Sequence, residues 1–255
     1  MIAFISDIHS NVAALRVCLQ EIDRLSCRRI LCLGDVIGYG PEPRETLQLT
    51  MERAEFSLLG NHEHGAMFYA SDFNPRARAA IDWTRDQLSR RDCPRDENMK
   101  FWNYLDKMPK EHREKKILLV HGSPRDPVRE YLVPRDALDK QKMAECFEKM
   151  GDAQLCFVGH SHVPGVYLKS GAFLMPSEIG MEWKVNEPAM VNIGSVGQPR
   201  DGDPRSSFVT YDGTDGTDGV VRFHRIAYDV EGTMAKIRAI PELPDYLAER
   251  LAQGR

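Results

Sequence analysis

The chain has 255 residues, with 34 Lys and Arg against 38 Asp and Glu and a net charge of −4. That length suits one large α/β domain, and the near balance of charge gives no global attraction to nucleic acid or to an anionic membrane. No apolar run approaches the roughly 20 residues that span a bilayer, no leader pattern opens the chain, and the six cysteines (Cys18, Cys27, Cys32, Cys93, Cys146, Cys156) form no C-x-x-C pair; the expectation is a cytoplasmic protein with reduced core thiols and no membrane partner.

Residues 2–6 (IAFIS) are the first short apolar run and read as a buried strand, with Asp7 and His9 directly behind it. Residues 12–25 place Val12, Leu15, Leu19, Ile22 and Leu25 near helical spacing, which predicts a crossover helix packed on a sheet. Residues 30–33 (ILCL) and 56–59 (FSLL) predict two more strands, followed by Gly34-Asp35 and Gly60-Asn61. Asp7, Asp35 and Asn61 thus recur at about one βαβ repeat of 30 residues, so one edge of one sheet can gather them. Strand carboxyl ends are where open α/β sheets build their sites.

The alternation lapses over residues 64–106, a polar, aromatic and helix-favouring stretch that reads as a helical insert or cap. Phe68, Tyr69, Phe73 and Trp83 in it are either pocket walls or packing residues, and His64 falls beside His62 but outside any ligand pattern. Strands resume at 117–120 (ILLV) and 155–158 (LCFV), ending on His121 and on Gly159-His160. Beyond residue 163 the runs 166–168, 190–193, 207–211 and 220–226 are short and broken by glycine, proline and acidic turns, which suggests a second, largely antiparallel sheet. Residues 214–219 (TDGTDG) lack the glutamate and spacing of a calcium loop and read as a hairpin turn. Residues 229–240 and 244–251 read as terminal helices broken by Pro241 and Pro244.

Each of the five strands at 2–6, 30–33, 56–59, 117–120 and 155–158 is followed by a group able to bind metal: Asp7, Asp35, Asn61, His121 and His160. Carboxylate, imidazole and amide oxygen suit borderline divalent ions, and the absence of thiolate from the motifs argues against a structural zinc knot. Asp35 can bridge two ions with its two oxygens; ions about 4 Å apart would clamp a phosphate and generate a hydroxide between them. A single His after a strand is usually a satisfied polar group. The ordered set carries the inference where its members do not.

That set, Asp7-Ile8-His9, Gly34-Asp35, Gly60-Asn61-His62-Glu63, His121-Gly122 and Gly159-His160-Ser161-His162, resembles the calcineurin-like metallophosphoesterase superfamily, whose pattern is D-x-H, G-D, G-N-H-[DE], H and G-H-x-H. The resemblance implies a single α/β domain over residues 1–255, a four-layer α-β-β-α sandwich of two mixed sheets with the helical insert at 64–106. It implies a phosphoester hydrolase in which Asp7, His9 and His162 hold one divalent ion, Asn61, His121 and His160 hold the second, and Asp35 bridges them. His62 matches the catalytic histidine on the leaving-group side, and a hydroxide between the ions attacks phosphorus in line. Manganese is the expected metal, with iron, zinc, nickel or cobalt as alternatives.

The turn Gly38-Tyr39-Gly40-Pro41 lacks the Asp-Arg pair of the protein serine/threonine phosphatases. With His121-Gly122-Ser123-Pro124 and residues 192–200 (NIGSVGQPR), it looks like the small prokaryotic phosphodiesterase branch. The expected substrate is therefore a small phosphodiester or nucleotide, with a dinucleoside polyphosphate hydrolase or a phosphomonoesterase as alternatives and a non-catalytic metal-binding scaffold as a minor one. Asn61, His62 and Arg200 are the substrate-binding candidates. For Arg200 a bidentate phosphate contact stands beside an ordinary salt bridge to Asp201 or Asp203; Tyr39 either stacks on a base or packs locally. The oligomeric state is left unassigned.

Overall fold

In the computed structural model, which describes residues 1–68, 70 and 73–255, the first apolar runs become β1 (Ile2–Ile5), β2 (Arg29–Cys32) and β3 (Phe56–Ser57). They lie side by side and parallel, because α1 (Val12–Arg24) and α2 (Pro43–Arg53) return the chain to the same end of the sheet. Helix α1 starts where the Asn11 side chain accepts the Ala14 N–H, and it buries Val12, Ala14, Leu15, Cys18, Leu19 and Ile22 in one stripe. Strand β3 is shorter than its apolar run because Gly60 turns the chain directly into α3 (Asn61–Met67). Helices α4 (Pro75–Leu88) and α5 (Arg95–Asp106) then occupy the stretch between the two strand-rich parts of the chain.

The next elements are β4 (Glu111–Glu114), β5 (Ile117–Val120), α6 (Lys140–Lys149), β6 (Leu155–Val158), β7 (Gly165–Leu168), β8 (Phe173–Leu174), β9 (Glu182–Lys184), β10 (Ala189–Asn192), β11 (Ser206–Tyr211) and β12 (Val220–Ile226). Two helices, α7 (Val230–Arg238) and α8 (Tyr246–Gln253), close the chain. The strands build two sheets, in the orders β3-β2-β1-β11-β12-β9 and β4-β5-β6-β10-β7-β8. Both are mixed: parallel through β1–β3 and through β5, β6 and β10, antiparallel elsewhere.

This corrects one expectation. The strands beyond residue 163 do not form a sheet of their own; β7, β8 and β10 join β4–β6, while β9, β11 and β12 complete the first sheet. All six residues of β11 are buried, which requires cover on both faces and edges and places it centrally between β1 and β12. The 214–219 segment does turn a hairpin, since it joins the antiparallel β11 and β12.

The sheets pack face to face through Phe4, Leu31, Leu33, Phe157, Val191, Val209 and Tyr211, with the Phe4 and Phe157 rings stacked 4.0 Å apart. A second core lies between the first sheet and α1–α5, and a third between the second sheet and α6. The result is helix, sheet, sheet, helix. Helices α7 and α8 dock on α4 through Met234, Ile237, Leu247 and Leu251 against Ala80 and Trp83, with Tyr39 at the rim of this cluster. Among the described residues no helix is long and apolar enough to cross a membrane.

Candidate metal centre

The strand ends of both sheets meet at one place, and the chain there takes a costly backbone. Asp7 (φ 53°), His9 (φ 50°), Asp35 (φ 51°), His160 (φ 66°) and His162 (φ 60°) are all left-handed, a conformation that costs residues with a side chain about 1–3 kcal/mol each and clusters at functional sites. Backbone bonds hold it: the Asp7 and His9 N–H groups donate to Gly34 O and Asp35 O at 3.0 Å, and Gly197 N–H donates to Asp7 O at 3.0 Å. The motif glycines are there for proximity. A Cβ on Gly60 would fall 2.1 Å from Asp35 Oδ1, and one on Gly38 (φ 87°) 2.1 Å from His62 Nδ1.

Three groups of side chains converge: Asp7, His9 and His162; Asp35, His121 and His160; and His9, Asp35 and His62. In the first, His162 Nε2 lies 3.2 Å from Asp7 Oδ1 and 3.1 Å from His9 Nε2. In the second, His121 Nε2 lies 3.4 Å from Asp35 Oδ2, 3.1 Å from His160 Nδ1 and 3.2 Å from Asn61 Oδ1, which brings Asn61 into the group. Asp35 Oδ2 also stands 3.8 Å from His9 Nε2, so this carboxylate lies between the two sets.

In four of these imidazoles the outward nitrogen faces a backbone carbonyl: His9 Nδ1 to Ile37 O (3.2 Å), His121 Nδ1 to Leu33 O (2.9 Å), His162 Nδ1 to Gln198 O (2.6 Å) and His160 Nε2 to Arg129 O (3.0 Å). A carbonyl can only accept, so each of these nitrogens carries a proton, and the rings that burial keeps neutral, His9, His160 and His162, turn a lone pair inward. The pair His9–His162 then opposes lone pairs at 3.1 Å, His121 Nε2 faces the His160 Nδ1 lone pair at 3.1 Å, and Asp7 Oδ1 is buried without a hydrogen-bond partner among the described residues. Lone pairs converging from His9, His160 and His162 beside two buried carboxylates fit a pair of divalent cations.

Electrostatics agree with that donor set. Burial favours neutral imidazole and lowers His9 and His162, brings His62 down to about 4 and His160 to about 3. Burial opposes the charge on Asp7 and Asp35 too, yet His162 beside the first and His121 beside the second hold both carboxyls below the usual range. His121 is the exception: burial works against its charge, but Asp35 outweighs it and raises the ring to about 9. A cation between Asp35 and His121 would take the place of that proton.

His62 is placed differently from the other histidines. Its backbone N–H donates to Asp35 Oδ1 at 2.9 Å, its Nε2 is 4.0 Å from Asp35 Oδ2, and its Nδ1 is buried with no hydrogen-bond partner among the described residues. The ring packs edge-on against Tyr39 and Phe73. These two aromatics also line a cavity of about 180 Å³ with Asn61, His64, Arg129, Tyr131 and His160.

Of the other expected wall residues, Phe68 is 56% exposed with its ring tilted against His64 at 4.9 Å, Trp83 belongs to the α4–α7–α8 cluster, and Tyr69 lies outside the described residues. Arg200 donates through Nη2 to Gln198 Oε1 at 2.8 Å and sits 5.9 Å over the Tyr39 ring. Among the described residues Arg200 makes no salt bridge to Asp201 or Asp203; Asp201 pairs with Arg225 and Asp203 with Arg205.

Two residues with clear roles in the geometry were given none from sequence, although Glu63 stands in the Gly60-Asn61-His62-Glu63 motif. The Glu63 carboxylate is fully buried and accepts N–H groups from Asp35 (2.9 Å), Val36 (2.8 Å), Ile37 (3.1 Å) and Gly60 (3.0 Å), fixing the loop that carries Asp35. Its signal was an acidic residue immediately beside Asn61 and His62. Burial and the Asp35 charge raise its carboxyl to about 7. Tyr131 stacks on His160 at 3.7 Å; it comes from a loop with no periodicity to mark it.

The profile of the calcineurin-like phosphoesterase superfamily domain matches residues 1–216. Over 259 residues the chain is 36% identical to an uncharacterised protein of Methanocaldococcus jannaschii, covering 100% of this chain and 98% of that protein. A metallophosphoesterase crystal structure from Sphaerobacter thermophilus is similar over 100% of this chain and 98% of its own, with a TM-score of 0.80 and 35% identity. A hypothetical protein from Pyrococcus horikoshii shares the fold at a TM-score of 0.76 and 18% identity, over 100% of this chain and 99% of that one.

Proposed function

The chain belongs to the calcineurin-like phosphoesterase superfamily, hydrolases of phosphoester bonds, and from that premise we propose that it is a binuclear phosphodiesterase acting on a small phosphodiester or nucleotide. The observation that carries this reading is the pair of inward-facing lone-pair sets with Asp35 between them. Asp7, His9 and His162 would hold one divalent ion and Asn61, His121 and His160 the other. Bound there, two ions supply Lewis acidity and an activated water.

The chain's own contribution is orientation. Four carbonyls fix the imidazole tautomers, so no ring has to rotate when substrate arrives. His62, held by its N–H bond to Asp35 and by the Tyr39 and Phe73 rings, would approach the leaving-group oxygen and give it a hydrogen bond or a proton. Phe73, Asn74 and Ala77 in the cavity lining support residues 64–106 as the cap over the leaving group. The assembled ligand set, complete with His62, favours an enzyme over a scaffold. Manganese is the proposed metal, suited to mixed carboxylate and imidazole ligands; the six unpaired cysteines support a reducing, cytoplasmic compartment.

The test is manganese-dependent hydrolysis of bis(4-nitrophenyl) phosphate against 4-nitrophenyl phosphate, with Asp35→Asn as the contamination control. Diester turnover that disappears in the variant is expected. Preference for the monoester would redirect the assignment to a phosphomonoesterase, and a variant as active as the wild type would assign the signal to a contaminant.

A further inference from the structure

Helix α8 lies outside the 216 residues that match the family profile, yet it delivers a side chain to the edge of the metal centre. Leu247 and Leu251 anchor the helix beside Ile237 and Tyr39, and Leu251 shares a small cleft with His9, Tyr39 and Gln198. This docking sets the Arg250 guanidinium 5.9 Å from the Tyr39 ring centre, the same distance as that of Arg200. Two cations therefore share one aromatic ring whose other neighbours are His9 and His62.

Neither guanidinium pairs with an Asp or Glu side chain among the described residues. Arg200 spends one nitrogen on the Gln198 amide oxygen, and Arg250 donates its Nε to Arg255 O. The Arg200 Nε is buried with no hydrogen-bond partner among the described residues. Three neighbouring aspartates pair with other arginines: Asp201 through Oδ2 with Arg225, Asp203 with Arg205 and Asp245 with Arg238. Burial and the neighbouring Arg200 charge push the Arg250 guanidinium down to about 10, as expected of a cation short of counter-charge. The alternation continues outward, since Arg250 also faces the Tyr246 ring, with Arg76 over the same ring.

Resting on the metal-centre reading above, we propose that Arg200 and Arg250 form a second anion subsite, and that the substrate carries at least two phosphate groups, one cleaved at the metal centre and one held by the guanidinium pair. Guanidinium groups grip phosphate oxygens bidentately, and an anion between two like charges removes their mutual repulsion. In the reaction the oxygen of water bonds to the phosphorus at the centre and the bond to the leaving oxygen breaks. That oxygen departs with a proton, and the second phosphate keeps all its bonds. Tyr39, common to both arginines and to the cavity, links the two positions.

The test is calorimetric titration of the full-length protein in excess manganese with methylenediphosphonate and with orthophosphate. The wild type should bind the diphosphonate at least about ten-fold tighter than orthophosphate, roughly 1.4 kcal/mol. In Arg250→Gln and in Arg200→Gln, folded by circular dichroism, that preference should collapse to within about three-fold, and Arg250→Lys should keep part of it. Equal affinity for the two anions in the wild type, or a preference that survives both glutamine variants, overturns the subsite. Diester hydrolysis is read in parallel. Its absence beside an arginine-dependent preference would sink the hydrolase reading alone, and hydrolysis without any preference would sink the subsite alone.

Discussion

Asp35 and His62 are neighbours with separable duties. Asp35 turns Oδ2 toward His121 and His9 and Oδ1 toward the His62 N–H, so Asp35→Asn should lose metal and turnover together. His62→Ala should cost about 10²- to 10³-fold in kcat with metal content unchanged. Metal analysis of the purified variants beside their kinetics checks this division, and equal metal loss in both would refute it. Glu63 tests a structural duty. Each of its oxygens accepts two backbone N–H groups, so Glu63→Gln must turn an NH₂ against two donors whichever way the amide lies. A loss of about 1–3 kcal/mol is expected, read from urea midpoints; an unchanged midpoint would show that the loop holds itself.

At the scale of elements, the site depends on a helix remote from every motif. Helix α8 is short and amphipathic, and its buried Leu247, Ala248 and Leu251 meet α4 and α7 without contributing to either sheet core. Leu247→Ala should cost about 2–5 kcal/mol, the range for a fully buried leucine with partial collapse of the cavity. Thermal unfolding followed by tryptophan fluorescence should report it, because Trp83 lies in that cluster. A change within experimental error would mean that α8 is not docked, and Arg250 would then lose its position beside Tyr39.

For the whole molecule, the two sheets are joined by an apolar interface and by the donor sets at their ends. Asp7 and Asp35 come from the first sheet, His121 and His160 from strands of the second, and His162 follows His160. Bound metal should therefore act as a cross-link that only the folded chain can form. Manganese at 100 times its dissociation constant should stabilise by about 2.7 kcal/mol per ion, and chelation should lower the calorimetric Tm accordingly. A Tm indifferent to both manganese and chelator would exclude a bound ion at this centre.

Sequence by itself determined the positions of the strands around the site, the α1 stripe and the ordered ligand candidates, because short apolar runs buried on both faces leave a local pattern and each run ends on a polar residue. It placed Asp7, Asp35 and Asn61 on one sheet edge, since a regular βαβ spacing dictates parallel neighbours. Only the tertiary structure decided that β11 and β12 belong beside β1, that Glu63 organises the Asp35 loop, and that Arg250 stands beside Arg200. Those facts rest on contacts between residues far apart in the chain, where burial on both faces and docking of one apolar stripe on another select the partner. No periodicity or motif within the segment encodes that choice.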